Sequence, residues 1–300
     1  MDNGPMDAHD FLAARFEDHR SHLRAVAHRM LGSLSEADDA VQETWLRLSR
    51  SDTSGVENLG GWLTTVVGRV CLDMLRSRGV RREEPLDGGV HVPDPVVSAA
   101  DGVDPEHEAL LADSVGLALL VVLETLSPPE RLAFVLHDLF AVPFDEIAPV
   151  VGRTPAAARQ LASRARRRVQ GGAPATDPDR DRQRAVVEAF LAAARGGDLQ
   201  GLLALLDPDV VARSDGGPTL GGSVRHGARA VAEGALLYAR LAGAGRPALV
   251  NGAAGFVAFS PEGRPTSVMA FTVRDGRIVA MDALNDPERL ARLDLSALDA

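Results

Sequence analysis

Phe144-Asp145-Glu146-Ile147-Ala148-Pro149-Val150-Val151-Gly152-Arg153-Thr154-Pro155 reads as a short helix, a glycine turn and the opening of a second helix. Ile147, Ala148 and Val151 recur at helical spacing and point to a core. Gly152 can take the left-handed backbone that a tight turn needs. Thr154 is suited to cap the next helix, and Pro155 to its first turn. Downstream, Ala157, Ala158, Leu161 and Ala165 are small or apolar and allow close packing. Arg159, Gln160, Ser163, Arg164, Arg166, Arg167 and Arg168 form the opposite, polar face. Phe144–Val169 is therefore predicted to be a helix-turn-helix. In that motif the second helix enters a DNA major groove, early residues toward base edges and later arginines toward phosphates.

The formal net charge of −10 runs against nucleic-acid binding by the chain as a whole, so its distribution matters more. Residues 181–300 are nearly neutral, and the acids concentrate in the first 180. There the arginines are bunched: five lie between Arg69 and Arg82 with only Asp73 among them, and six between Arg153 and Arg168 with no acid. A basic stripe on an acidic body binds phosphate locally while the body repels it elsewhere. Lysine is absent, which a GC-rich codon bias accounts for, but such a bias does not cluster arginines.

A chain of 300 residues with 45% hydrophobic and 25% charged residues fits two or three folded domains. No apolar run is long enough to span a bilayer, and Met1–Asp10 has none of the basic residues of a secretory signal. The single cysteine, Cys71, excludes an intramolecular disulfide and a cysteine zinc site. A cytoplasmic protein without metal, cofactor or membrane attachment is expected.

Residues 8–81 make a first helical domain. Periodicity runs over Phe11–Leu48 with a break at Gly32–Ser35 and a second helix starting at Ser35, Ser51–Gly61 is a loop, and a third helix covers Trp62–Arg78. Dense Pro, Gly and Asp mark residues 82–105 as a linker. A second helical domain spans 106–171. Its helices are read over Glu106–Thr125, from Ser127-Pro128-Pro129-Glu130 through Arg131–Phe140, and through the helix-turn-helix. Residues 172–180 form another linker. Over 181–293 the texture changes: an amphipathic helix (Asp181–Arg195) ends at Gly196-Gly197 and a short one (Leu199–Leu206) follows. Strands are then expected at Val210–Arg213, Ala248–Ser260 and Ser267–Ala283, the last containing an Asp275-Gly276 hairpin. Helices followed by strands imply an α+β domain.

Two stretches upstream complete the pattern. Asp38–Leu48 joins an acidic, exposed helix start to Trp45, a combination suited to protein docking. Gly61–Arg78 joins Trp62 to periodic arginines, as in a helix lying on a DNA backbone near unstacked bases. The spacing of Asp38–Leu48, Gly61–Arg78 and Leu126–Val169 resembles the sigma-70 superfamily, specifically the compact extracytoplasmic-function (ECF) sigma factors. The resemblance implies two all-α domains that bind core RNA polymerase and promoter DNA. It places Asp38, Asp39, Gln42, Glu43 and Leu46 on the polymerase-docking surface. Asn58, Trp62, Thr65, Arg69 and Arg76 go to the −10 element, and Arg153, Thr154, Arg159, Gln160 and Arg164 to the −35 element. It names no separate anti-sigma factor.

The third domain resembles the SnoaL-like cones, α+β folds in which helices pack on a curved antiparallel sheet. A subgroup of these sigma factors carries one behind the DNA-binding part. Ser214-Asp215-Gly216-Gly217 and Asn285-Asp286-Pro287-Glu288-Arg289-Leu290 strengthen that placement, and make Asp215, Gly216, Gly217, Asn285 and Pro287 the candidate regulatory residues. Such a cone can accept a small molecule. An alternative is a cyclase or isomerase with a fused DNA-binding arm, in which Asp215 is a general base assisted by His226. Against it, a lone Asp without a paired donor is weak evidence for catalysis, and an Asp-Gly turn explains it. The expectation is a sigma factor that is not an enzyme, modulated in cis by its last domain.

Overall fold

The computed structural model describes residues 8–52, 56–81, 90–100, 116–172, 177–241 and 245–298. It divides into two compact units, residues 1–83 with 123–169, and residues 84–122 with 170–300.

The first unit is helical. α1 (Ala8–Leu31) ends at Gly32, whose φ of +74° turns the chain sharply. α2 (Leu34–Leu48) follows at once, capped by Ser33, whose hydroxyl accepts the Glu36 amide. The cap thus lies two residues before the expected Ser35, because the glycine turn leaves no room for a longer connection. α3 (Leu59–Arg81) begins where Asn58 Oδ1 accepts the Gly61 amide at 3.0 Å. Of the helix read over Glu106–Thr125, residues 106–115 lie outside the described residues; α4 covers Leu117–Glu124, and its residues up to Val122 belong to the second unit. Ser127 and Glu130 form a capping box on α5 (Pro128–Phe134), which runs on into a π-helical turn, Val135–Leu139. α6 (Phe144–Val151) and α7 (Pro155–Gly172) are the helix-turn-helix.

Phe16, Leu23, Met30, Leu63, Val67, Leu132 and Leu136 are buried in this unit. Gly68 of α3 lets the leucines come close: a Cβ there would stand 3.1 Å from Leu136 and 3.2 Å from Leu132 methyls. Arg131 is buried too and donates to the Met30 carbonyl at 2.9 Å; desolvation pulls its guanidinium down to about 10.

The second unit is helices on a seven-stranded sheet. α8 (Arg180–Gly196) and α9 (Leu199–Leu205) lead into β2 (Leu206–Asp215), a turn of helix α10 (Gly217–Leu220) and β3 (Gly222–His226). α11 (Ala228–Leu241), which the sequence reading left out, precedes β4 (Gly245–Val250), β5 (Ala253–Phe259), β6 (Pro265–Arg274) and β7 (Arg277–Leu284). α12 (Pro287–Leu290) and a 3₁₀ turn (Ser296–Leu298) follow. With β1 formed by Val97–Ala99, the order is β1-β4-β5-β6-β7-β2-β3. The sheet is mixed rather than wholly antiparallel: β7 returns beside β2 after a long crossover and runs parallel to it. Asp275 and Gly276, at φ +52° and +74°, make the expected two-residue hairpin. Asn251 and Gly252, at +50° and +75°, make another inside the stretch read as one strand, Ala248–Ser260. β1 (Val97–Ala99), from the stretch read as a linker, pairs antiparallel with β4 at the sheet edge. Val186, Phe190, Leu202, Phe256 and Phe271 form the core, with Phe190 and Phe271 edge-on at 5.7 Å.

Candidate nucleic-acid interface and C-terminal cluster

The helix-turn-helix forms as its sequence dictates. Ile147, Ala148 and Val151 are buried, Gly152 has φ +67°, and its amide reaches the Ala148 and Pro149 carbonyls. Thr154 Oγ1 accepts the Ala157 amide at 3.3 Å. Ala158, Ala162 and Ala165 form the buried seam of α7, which turns Arg153, Thr154, Arg159, Gln160 and Arg164 to solvent. The arginines do not all serve one face. Arg166 pairs with Asp138 and Arg168 with Glu130, fixing α7 to its own unit. Arg153, Arg159 and Arg164 have no ion pair among the described residues, and Arg159 lies 5.2 Å over the Phe144 ring. That stacking holds one cation near the helix start.

On α3, Trp62, Thr65, Arg69 and Arg76 follow at intervals of three, four and seven, which puts them on one stripe. Trp62 and Thr65 are half-buried, Arg69 and Arg76 exposed. Asn58 stands at the head of the stripe but its side-chain oxygen is engaged in the helix cap. On α2, Asp38, Asp39, Gln42 and Leu46 are exposed and Glu43 half-buried; Leu46, at 38% exposure, is an unusually open leucine. Trp45 packs on Phe16 with ring centroids 5.2 Å apart, so it anchors α2 to α1. Asp38 pairs with Arg24 at 2.7 Å and Glu43 with Arg47 at 3.0 Å.

In the second unit, Asp215 is 4% exposed at the end of β2. Its Oδ2 accepts Arg289 Nη1 at 2.7 Å and the Val92 amide at 2.9 Å; Oδ1 accepts the Gly217 amide at 3.0 Å. Arg289 also reaches Asp94 at 2.6 Å and the Val92 carbonyl at 2.6 Å. Burial pushes the Asp215 carboxyl up, but the His91 hydrogen bond, the two amides and the Arg289 charge outweigh it and hold it at about 2. The Asn285 amide meets the Asp215 carbonyl at 2.6 Å, and its Nδ2 meets Ser214 Oγ at 2.7 Å. Pro287 opens α12, with Asp286 capping the Glu288 and Arg289 amides. Gly217, at φ +63°, lies so close to Asp286 that a Cβ would overlap its carboxylate. Asp215, Gly217 and Asn285 thus lie in one cluster, and Gly216 and Pro287 flank them.

Two family models match the chain: Sigma-70 region 2 over residues 15–81 and Sigma-70, region 4 over residues 116–169. The chain is 42% identical over 291 residues to the ECF RNA polymerase sigma factor SigJ of Mycobacterium tuberculosis, covering 92% of each. It belongs to the ECF sigma factors. A second relative, the probable ECF RNA polymerase sigma factor SigI of M. tuberculosis, is 41% identical over 211 residues, 70% of this chain and 72% of that one. The crystal structure of SigJ superposes with a TM-score of 0.76 at 36% identity, covering 94% of this chain and 99% of that one.

The α2 surface and the α3 stripe therefore lie in region 2 of this sigma factor, and the helix-turn-helix in region 4. Its last domain is the helix-and-curved-sheet cone that the sequence suggested. The sequence reading missed Arg289 as the hub of the cluster, and missed Val92 and Asp94, which were assigned to a linker. The available signal was charge: an acid in an apolar setting needs a cation, and Arg289 was in view. The pair of half-buried Arg213 and buried Asp282, 3.1 Å apart on neighbouring strands, was missed as well. No helix among the described residues is long and apolar enough to cross a membrane.

Proposed function

We propose that this ECF sigma factor docks on core RNA polymerase through Asp38, Asp39, Gln42, Glu43 and Leu46. It reads the −10 element with the Trp62–Arg76 stripe and the −35 element with Arg153, Thr154, Arg159, Gln160 and Arg164. Its cone-shaped domain acts as a regulator in cis, without catalysis. The observation that carries the regulatory part is the Asp215–Arg289 cluster. Residues 90–100 lie in the chain between regions 2 and 4, and Arg289 and Asp215 fasten them to the last domain at Val92 and Asp94. A strap held there limits the positions the two promoter-binding regions can adopt.

Asp215 argues against the enzyme reading. A carboxylate held at about 2 by the His91 hydrogen bond, two amides and the Arg289 charge is a poor proton acceptor. His226 stands opposite Val211, at the far end of the β2–β3 ladder from Asp215. Transcription in vitro with core polymerase tests the proposal, comparing the full chain, Arg289→Ala and a chain ending near Gln170. The expected result is promoter-dependent output from the full chain that changes at least several-fold in both variants. Equal output from all three would refute regulation in cis, and failure of the full chain to bind core would refute the docking surface.

A further inference from the structure

Between α8, α11 and the concave face of the sheet lies a cavity of about 290 Å³. That is roughly twice the apolar cavity that takes up a benzene, so a two-ring molecule fits. Phe190, Phe256, Met269 and Met281 give it apolar walls. Its polar groups are few and unevenly charged. Asn285 Oδ1 is buried at its edge with no hydrogen-bond partner. Arg195 and Arg225 border it, exposed and without an ion pair among the described residues. Arg225 donates to Ser223 Oγ at 3.3 Å and rests against Gly234, where a Cβ would come within 3.1 Å of its side chain.

Among the described residues, Asp282 is the only acid on the cavity border, and strand alternation turns it away. Ala212, Met281 and Ala283 pack with the concave core, so Arg213 and Asp282, the intervening residues, share the other face and pair with each other. The cavity side therefore offers two cations with no carboxylate, an apolar interior, and an acceptor that lacks a donor. Buried acceptors left without a partner cost stability, and a ligand donor would satisfy this one.

We propose that the cavity is a receptor site for a small ring-containing carboxylic acid that also carries a hydroxyl or N–H donor. The carboxylate meets Arg225 and Arg195 at the mouth, the rings lie among the phenylalanines and methionines, and the donor meets Asn285 Oδ1. A neighbouring recess of about 390 Å³ shares Ser214, Tyr238 and Asn285 and extends to Gly216. Asn285 and Ser214, hydrogen-bonded to each other, are each one residue from the Asp215–Asp286 cluster. Resting on the strap reading above, ligand bound at Asn285 sets how firmly the strap is held.

The test uses the full chain and the probe 6-hydroxy-2-naphthoic acid, with 2-naphthol and 2-naphthoic acid as partial probes, followed by calorimetry. The acid with the hydroxyl should bind tightest. Arg225→Gln, an exposed position that leaves the fold intact, should weaken both acids at least tenfold and leave 2-naphthol unchanged. Ala235→Trp should fill the cavity and abolish all three. Absence of binding by every probe, or equal binding of both acids to Arg225→Gln and the parent, overturns the site. Transcription with the probe separates the readings: binding without any change in promoter output keeps the receptor site and refutes the strap.

Discussion

Asp215 offers a quantitative check because its charge, not its shape, holds the cluster together. Moving a carboxyl from its ordinary 3.8 to about 2 means that the ionised form stabilises the folded state. At about 1.4 kcal/mol per pKa unit, the contribution is on the order of 2 kcal/mol. The folded value is the depressed one, so this stability is present in full above 3.8 and is lost as pH falls toward 2. Roughly half remains at pH 3. Asp215→Asn keeps the outline but removes the charge, and its amide group confronts the Arg289, Val92 and Gly217 donors with a donor of its own. At pH 6 the variant should lose at least about 2 kcal/mol, near 4–8 °C in melting temperature for a unit of this size. The measurement is urea unfolding of parent and variant at pH 6 and pH 3, followed by far-ultraviolet circular dichroism. The gap between them should narrow by about 1 kcal/mol at the lower pH. A gap that stays constant, or widens, would show that the carboxylate is not held in its charged form.

Three further outcomes follow from the same structure. Gly152→Val places a branched side chain at φ +67°, which costs about 1–2 kcal/mol or more and should lower both thermal stability and −35 affinity in a gel-shift titration. Arg164→Ala, where among the described residues no carboxylate pairs with the guanidinium, should weaken DNA binding evenly across sequences and reduce the salt slope by about one; an unchanged slope means that it touches no phosphate. Leu46→Asp should abolish capture of core polymerase while leaving the melting temperature within about 1 °C, because the side chain is already open to solvent.

How much of this was legible in the sequence depends on the range of the interaction. The helix-turn-helix was readable because each signal is local: Gly152, Thr154 and Pro155 act within one turn, and Ile147 and Val151 state their own periodicity. The Asp275-Gly276 hairpin was readable for the same reason, and the Asn251-Gly252 turn carried an equal signal that the apolar run around it masked. α11 carried a helical pattern of its own, with Val231, Ala232, Ala235, Leu236 and Ala239 turned to the core, and was passed over; β1 was not readable. β1 has only three residues and no alternation, and it is a strand because β4 offers it an edge. Arg166 and Arg168 looked like their DNA-facing neighbours, since a sequence shows that arginines cluster but not where Asp138 and Glu130 will stand.

The cluster at Asp215 shows why function here escapes local reading. Its members come from three segments: Val92 and Asp94, Asp215 to Gly217, and Asn285 to Arg289. Pairing Arg289 with Asp94 closes a separation of 195 residues, and no helical or strand period reports such a contact. Its strength also lies in burial. An exposed pair is worth little, whereas here the Asp215 and Arg289 side chains are only 6% and 18% exposed, so removing one partner leaves a charge with poor access to water. The same property makes the cluster suitable as a catch. It holds through a few desolvated groups on short segments, so a small change at Asn285 or Gly217 acts on all of them at once. A broad apolar seam, such as the leucines against Gly68, changes only by degrees.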